Sequence, residues 1–149
     1  MFKKLKTKSP KATQNLGKKL AQNFLMSESL GKGALVIGLE GDLGGGKTAF
    51  VQGFAKGLEI KEKILSPTFV ILKKFKIPKG KFKTFYHIDC YRTRTAKDML
   101  NLDFKKIVSN PENIIVIEWA NKIKKILPKK TMILKFEFIN NKIREIVLK

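Results

Sequence analysis

The chain has 149 residues, the size of one domain, and is long enough to bury about two thirds of its unfolded surface. Its single cysteine and single histidine exclude a disulfide framework and a Cys/His zinc cluster, as expected for a protein of a reducing compartment. The 32 basic against 12 acidic residues give a net charge of +20, which attracts polyanions such as RNA or DNA, although a lysine-rich compositional bias would produce the same charge.

Residues 1–10 are rich in lysine and are expected to form a flexible basic segment. No apolar h-region follows them, and no apolar run approaches the ~20 residues of a membrane span, so we predict a cytoplasmic protein without membrane contact. A second group of lysines lies midway along the chain. The two groups, where a nucleic-acid contact would be sought, are Lys3, Lys4, Lys6, Lys8 and Lys11, and Lys73, Lys74, Lys76, Lys79, Lys81 and Lys83.

The first part of the chain predicts a helix, a strand, a glycine-rich turn and a second helix in succession. The first helix is expected to begin near Thr13 as its N-cap, with an apolar stripe along one face. The apolar run Ala34–Glu40 lies between two glycines and suits a strand buried on both faces. The turn follows this strand directly, and the helix after the turn contains Gly53 and Gly57 as weak points.

Two strands and a helix are predicted for the middle of the chain. The strands are Thr68–Ile77 and Lys81–Tyr91, joined across the hairpin-like turn Pro78–Gly80. The second group of lysines falls on this hairpin. Thr95–Asn110 follows with a helical pattern.

The last part predicts a buried strand and then a hairpin. Asn113–Ala120 is a continuous apolar run with a carboxylate near its end, and the turn at Asn140 and Asn141 joins two further strands at the edge of the sheet. Apolar central strands with intervening helices and antiparallel additions are typical of an α/β sandwich with a mixed sheet that is parallel at its centre. We predict a single domain over residues 1–149.

The glycine-rich turn matches the pattern GxxxxGK[ST] through Gly41, Gly46, Lys47 and Thr48. Glycines let successive backbone N–H groups point inward at an anion, and the helix that follows adds its unpaired N–H groups and the positive end of its dipole. In such a loop the lysine reaches the β- and γ-phosphates, and the hydroxyl of the next residue ligates Mg²⁺. Since the pattern follows a buried strand and opens a helix, it predicts a nucleotide-binding P-loop rather than a merely flexible glycine loop.

A P-loop also needs a carboxylate near the metal, usually at the end of a neighbouring apolar strand. Two predicted strands supply one, through Glu118 and Asp89, although either acid would also suit a solvated strand end. Residues 121–124, NKIK, lack the aspartate of the guanine-reading motif NKxD. The predicted ligands are therefore ATP and Mg²⁺.

Four motifs in register resemble those of the TsaE (YjeE) family of small bacterial P-loop ATPases. They are GDLGGGKTAFVQGFAKGL from Gly41, SPTF at 66–69, HIDCYR at 87–92 and IEWA at 117–120. The resemblance runs from about Thr13 to the C-terminal hairpin and implies a P-loop NTPase-like three-layer sandwich. It also implies a role, with the TsaB and TsaD proteins, in the threonylcarbamoyl modification of the adenosine beside the tRNA anticodon, while a separate enzyme, TsaC, makes the threonylcarbamoyl-adenylate.

The resemblance further implies roles for individual residues. The phosphates would be held by Gly44, Gly45, Gly46, Lys47 and Thr48, Ala49 would also border the nucleotide, and the base and ribose would be bordered by Thr13, Trp119 and Arg144. Thr48 and Glu118 would bind Mg²⁺. Asp89 would orient the attacking water or a metal-bound water, and Thr68 would be a switch-like residue near the γ-phosphate, so that these two and Lys47 form the catalytic set. A packed core position is an equally good interpretation of Trp119, and His87 is interpreted as structural.

The chain departs from the family pattern at two positions of the loop. Gly45 replaces an alanine, and Ala49 replaces a second threonine whose hydroxyl would bond the α-phosphate. Loss of that contact, about 1 kcal/mol, is expected to weaken nucleotide binding several-fold. The metal ligand Thr48 is retained.

Phosphoryl transfer to water depends on positioning and electrostatics, and a group that only a partner supplies is worth roughly 10³–10⁵ in rate. We therefore predict a slow ATPase that the TsaB–TsaD pair completes, with tRNA reached through that complex. A small-molecule kinase is one alternative, although Arg92, Arg94 and Arg144 are few arginines for a kinase lid. A basic RNA-binding protein with a regulatory nucleotide site is the other.

Overall fold

The computed structural model describes residues 3–27, 31–42, 46–65, 72–91, 99 and 103–149. Within these residues the strands are β1 (Lys3–Thr7), β2 (Leu35–Glu40), β3 (Leu72–Lys76), β4 (Thr84–Asp89), β5 (Asn113–Glu118), β6 (Met132–Phe138) and β7 (Arg144–Leu148). The helices are α1 (Pro10–Met26), α2 (Lys47–Gly57) and α3 (Phe104–Ser109), and a 3₁₀ segment covers Ala120–Ile126.

The strands of the described residues form one sheet in the order β1-β7-β6-β2-β5-β4-β3. The central strands β6, β2, β5 and β4 are mutually parallel, whereas the pairs β1–β7, β7–β6 and β4–β3 are antiparallel. All residues of β5 are buried, as expected of a parallel strand that is covered on both faces. The predicted mixed sheet with a parallel centre and a C-terminal hairpin is confirmed.

The N-terminal segment is a strand. The prediction of a flexible segment over residues 1–10 is wrong for residues 3–10, because β1 pairs with β7 along its whole length and α1 begins at Pro10. The predicted position of the C-terminal hairpin at the sheet edge is also wrong, since β1 occupies that edge. Thr7 anchors the strand through a buried hydrogen bond of 2.7 Å between its Oγ1 and that of Thr13. Lysines on such an edge strand discourage pairing with another chain.

Helix α1 begins one turn earlier than predicted. Ser9 is its N-cap, and the side-chain oxygen of Ser9 accepts a hydrogen bond from the backbone N–H of Ala12 at 3.0 Å. Pro10 occupies the first helical position, where a missing N–H is tolerated and φ is already helical. Thr13, the predicted N-cap, therefore lies inside the helix and is buried.

Helices cover both faces of the sheet. On one face, α1 and α2 pack over a core of phenylalanine rings, in which the ring centroid of Phe50 lies 6.0 Å from that of Phe54 and 5.7 Å from that of Phe136. On the other face, α3 and the 3₁₀ segment contribute Phe104 and Ile123 to a second core. The three-layer α/β sandwich predicted from the sequence is confirmed.

Gly53 and Gly57 lie where α1 crosses α2. A methyl group on Gly53 would overlap the backbone carbonyl oxygen of Gln14, and one on Gly57 would lie 2.7 Å from the Cβ of Ala21. These glycines, predicted only as weak points of the helix, are therefore points of close approach between the two helices.

The β3–β4 hairpin is confirmed, with shorter strands than predicted, and residues 68–71 of the first predicted strand lie outside the described residues. The helix predicted for Thr95–Asn110 is confirmed for Phe104–Ser109, whereas residues 95–98 and 100–102 lie outside the described residues. The two groups of lysines fall at opposite edges of the sheet, around β1 and β3. Five strands of the sheet therefore separate the two groups.

Candidate functional site

The glycine-rich turn joins the end of β2 to the start of α2, and two glycines with positive φ shape its described ends. Gly41 has φ of +127°, and a methyl group there would overlap the carbonyl oxygen of Phe136. Gly46 has φ of +97° and is the N-cap of α2, so the first turn of the helix has no side-chain cap. Residues 43–45 lie outside the described residues. The turn thus leads into a helix N-terminus whose first N–H groups can meet an anion.

Lys47 is the first residue of α2 and is only 5% exposed. Its ammonium donates hydrogen bonds to the carbonyl oxygens of Gly41 and Asp42, the latter at 3.1 Å, and lies 3.9 Å from the ring centroid of Trp119. Among the residues that the structure describes, no carboxylate lies within 4.0 Å of this ammonium. Burial lowers the pKa of Lys47, and the charges of nearby acids, led by Glu118, oppose that effect.

Glu118 ends β5 with its carboxylate between two partners. The hydroxyl of Thr48 donates to Oε1 of Glu118 over 3.5 Å, the long limit of a hydrogen bond, and Nε2 of His87 lies 2.6 Å from Oε2. His87 and Glu118 are both buried. His87, which was interpreted from the sequence as structural, therefore contacts Glu118, a predicted metal ligand. The sequence could have indicated this position, because His87 lies two residues before Asp89 on the same strand and residues at that spacing share a face of the sheet.

The oxygen pair of Thr48 and Glu118 fits a magnesium ion. Two adjacent ligands of an octahedral Mg²⁺ at about 2.1 Å lie about 3.0 Å apart, and these two oxygens, 3.5 Å apart, need to approach each other by only about 0.5 Å. Mg²⁺ usually takes one or two protein ligands and completes its shell with phosphates and waters. Such a site needs no larger cluster, and the described part of the chain contains no group of three His, Cys, Asp or Glu side chains arranged around a metal position.

Asp89 ends β4 beside Glu118, because the parallel register pairs these two residues. One of its carboxylate oxygens accepts a hydrogen bond of 2.9 Å from the backbone N–H of Tyr91. Burial raises the pKa of Asp89, the charge of Glu118 adds to this, and the hydrogen bond from Tyr91 opposes it. A carboxyl group with a raised pKa beside the oxygen pair of Thr48 and Glu118 is suited to orienting a water or accepting its proton.

Thr13 and Arg144 approach the loop at Gly46. A methyl group on Gly46 would lie 3.4 Å from Cγ2 of Thr13 and 3.8 Å from Cγ of Arg144. The hydroxyl of Thr13 is hydrogen-bonded to the hydroxyl of Thr7, and the guanidinium of Arg144 lies 4.3 Å from the ring centroid of Phe138. The structure thus brings two of the predicted base and ribose neighbours together. Thr7, which no feature of the sequence marked, joins these residues through its hydrogen bond to Thr13.

Trp119 has a backbone φ of +59°, a left-handed conformation that a bulky residue adopts only when its surroundings hold it. Its ring packs against Tyr91, with the centroids 5.2 Å apart, and carries the ammonium of Lys47 on its face. Lys122 donates a hydrogen bond to the carbonyl oxygen of Tyr91 and lies 5.2 Å from that ring's centroid. Trp119 therefore contacts the lysine of the loop, and its place beside a base and ribose stays a prediction.

The family model described as threonylcarbamoyl adenosine biosynthesis protein TsaE matches residues 7–146. The chain belongs to the TsaE family. Family membership predicted from the four motifs is therefore confirmed.

Relatives in the TsaE family align over most of this chain, and each of three carries the name tRNA threonylcarbamoyladenosine biosynthesis protein TsaE. The protein from Nostoc sp. is 37% identical over 115 residues, which span 75% of this chain and 64% of that protein. The protein from Bacillus subtilis is 33% identical over 129 residues, or 87% of this chain and 73% of that protein. The protein from Treponema pallidum is 35% identical over 119 residues, or 80% of this chain and 84% of that protein.

A solved structure shares the fold of this TsaE-family chain. The crystal structure of Bacillus subtilis YdiB matches it with a TM-score of 0.71 and 31% identity, covering 99% of this chain and 84% of YdiB. None of the helices in the described ranges has both the length and the apolar character needed to cross a membrane.

The structure describes most of the site residues predicted from the TsaE resemblance. Gly44, Gly45 and Thr68 lie outside the described residues. Ala49 lies in the first turn of α2, next to Thr48. The predicted residues that the structure gathers around the start of α2 are Gly46, Lys47, Thr48 and Ala49 from the helix end itself, Thr13 and Arg144 beside Gly46, Trp119 over Lys47, and Asp89 and Glu118 at the strand ends.

Proposed function

We propose that this chain binds Mg²⁺ and ATP at the start of α2 and hydrolyses the ATP slowly. We further propose that it acts with TsaB and TsaD in the threonylcarbamoyl modification of the adenosine next to the tRNA anticodon, and that it reaches tRNA through that complex. The family and the names of its relatives support the pathway. The side chains around α2 support the nucleotide.

The buried ammonium of Lys47 is the observation that carries the nucleotide site. A buried charge is costly unless it is paired, yet this one meets two carbonyl oxygens and an aromatic face. At the same point α2 begins without a side-chain cap and without an acidic residue in its first turn. Both features favour an incoming anion, and the phosphates of ATP would supply that negative charge.

The other residues have complementary tasks in this proposal. Thr48 and Glu118 would hold Mg²⁺, which neutralises charge that develops on the phosphate oxygens. Asp89 would orient the attacking water beside Glu118. The base and ribose would be bordered by Thr13, Arg144 and Trp119, and Gly44, Gly45 and Thr68 take their roles from the family resemblance alone.

The positions of the cationic groups support a slow reaction in the absence of partners. The ammonium of Lys47 has to exchange its bonds to the carbonyl oxygens of Gly41 and Asp42 for bonds to phosphate oxygens. Arg144 donates to the carbonyl oxygen of Asn140 at 2.7 Å and covers the ring of Phe138. A stabilising group that a partner supplies is worth roughly 10³–10⁵ in rate, and we expect the TsaB–TsaD pair to supply or complete it.

Hydrolysis of ATP by the wild type, Lys47→Ala and Lys56→Ala tests this function, with each protein alone and with purified TsaB–TsaD and tRNA. Lys56 lies exposed in the last turn of α2, so its replacement removes the same charge away from the site. We expect slow turnover by the wild type and Lys56→Ala that rises with the partners, and no turnover by Lys47→Ala. Tight ATP binding without turnover in any mixture would refute the hydrolysis and leave the nucleotide as a structural switch.

The two alternative functions predict other results. A small-molecule kinase would transfer labelled γ-phosphate to a metabolite. An RNA-binding protein would bind RNA with a steep salt dependence that ATP does not change. The net charge of +20 favours the RNA-binding protein, but the lysine groups lie at opposite sheet edges, where lysines also serve to block strand pairing.

A further inference from the structure

His87 is a buried side chain to which the proposed function gives no task. It is fully buried in β4, and its Nε2 lies 2.6 Å from Oε2 of Glu118. We propose that His87 is a positioning residue, which holds the carboxylate of Glu118 so that its other oxygen faces Thr48 and a bound Mg²⁺. The inference rests on the proposed nucleotide site and adds to it a residue that contacts neither the nucleotide nor the metal.

The sheet register brings His87 and Glu118 together. The pairing of β4 with β5 sets Asp89 opposite Glu118 and His87 opposite Val116, so that His87 is the diagonal neighbour of Glu118. Side chains two residues apart on a strand point to the same face, and diagonal neighbours across a strand pair lie within reach of long side chains. The contact is therefore a product of the parallel sheet itself.

The chemistry of its partner decides the direction of the hydrogen bond that His87 makes. A carboxylate only accepts hydrogen bonds, so Nε2 of His87 donates to Glu118. Nδ1 is buried and has no hydrogen-bond partner among the described residues. His87 is therefore the donor of this hydrogen bond and Glu118 the acceptor.

An anchor is needed because a competing partner for the carboxylate lies close by. Among the neighbouring acids, Glu118 does most to raise the pKa of Lys47, although the two groups form no ion pair. A carboxylate without an anchor would be drawn toward that buried ammonium. The bond to His87 instead retains Oε2 and leaves Oε1 3.5 Å from the hydroxyl of Thr48. Lys47 stays unpaired with Glu118, and Glu118 stays in place for the metal.

Binding of a fluorescent ATP analogue, measured in Mg²⁺ and in EDTA, tests this inference. His87→Leu has no donor, and in His87→Asn the amide is too short to reach Glu118. His87→Gln is the matched control, because its terminal amide N–H reaches the position of Nε2. Loss of a residue that orients a metal ligand typically lowers metal affinity 10–100-fold. We expect the Leu and Asn variants to bind the analogue in EDTA as tightly as the wild type does. The increase in affinity on adding Mg²⁺ should be about 10-fold or more smaller in these variants than in the wild type, and His87→Gln should retain most of that increase.

The outcomes separate the inference from the proposed function. The affinity in EDTA shows that each variant is folded, and the comparison of Asn with Gln decides the question if the Leu variant does not fold. A full Mg²⁺ gain in His87→Leu or His87→Asn, or an equal loss in His87→Gln, would overturn the inference and leave the nucleotide site standing. A wild type that binds the analogue equally in Mg²⁺ and in EDTA, or not at all, would overturn the proposed function and the inference with it.

Discussion

Replacement of Gly53 by alanine tests whether the close approach of α1 and α2 supports the site. The added methyl group would overlap the carbonyl oxygen of Gln14 and lie 2.6 Å from the α-carbon of the same residue. These are backbone atoms, so no side-chain rotation can relieve the overlap. Helix α1 would have to move by at least about 0.8 Å before the methyl group stood 3.4 Å from that carbon, an ordinary van der Waals distance. Such a shift would also displace Thr13, which borders Gly46.

Two effects of opposite sign decide the change in stability. The helix propensity of alanine favours the variant by about 1 kcal/mol. Overpacking of a close contact costs typically about 1–3 kcal/mol, and occasionally more. The cost belongs at the upper end because Gly17 meets the backbone of Phe50 where the same two helices pack, so α1 has little room to shift. We therefore expect a net destabilisation of about 1–2 kcal/mol, or about 2–8 °C in melting temperature.

Thermal and urea unfolding measure this difference, with Gly31→Ala as the control. The nearest atom to a methyl group on Gly31 is 3.9 Å away, so that variant is expected within about 0.5 kcal/mol of the wild type. We also expect Gly53→Ala to bind the fluorescent ATP analogue more weakly than Gly31→Ala does. A Gly53→Ala protein at least as stable as the wild type would show that helix propensity outweighs the overlap, and would refute the reasoning.

Three further predictions concern the surroundings of the site. Because burial raises the pKa of Asp89, the wild type loses folding stability as the pH rises above the ordinary carboxyl pKa of about 3.9. Asp89→Asn should then be more stable in urea at pH 7, equal near pH 3 and unable to hydrolyse ATP; equal stability at both pH values would contradict the assignment. Thr7→Val should lose about 1 kcal/mol of unfolding free energy with the hydrogen bond to Thr13, whereas Thr7→Ser, which keeps the hydroxyl, should stay nearer the wild type. Trp119 is the only tryptophan, and its emission should change when the ammonium of Lys47 leaves its ring for the phosphates of ATP. Saturation with nucleotide, shown by calorimetry, without a change in emission would argue against that movement.

The glycine-rich turn at the start of α2 was predictable because its determinants are local. The turn, Lys47 and Thr48 are contiguous in sequence, and the backbone of Gly46 adopts a φ of +97° that glycine alone adopts readily. Asp89 and Glu118 were also predictable, since parallel strands bring their carboxyl ends to the same edge of a sheet. The approach of α1 at Gly53 was not predictable, because a helical glycine is equally compatible with a merely weak helix.

By itself, therefore, the sequence determined the order of the strands and helices from α1 onward, the loop and the two acids at the neighbouring strand ends. The tertiary structure alone decided the contacts between distant segments. The lysines of residues 3–7 suggested a flexible segment, and they form a strand only because β7 offers a free edge. The contact between His87 and Glu118, 31 residues apart, exists only in one register of β4 on β5. A slip of one residue would turn the side chains of a strand to the opposite face, and the energy of the whole sheet, rather than any local pattern, selects the register.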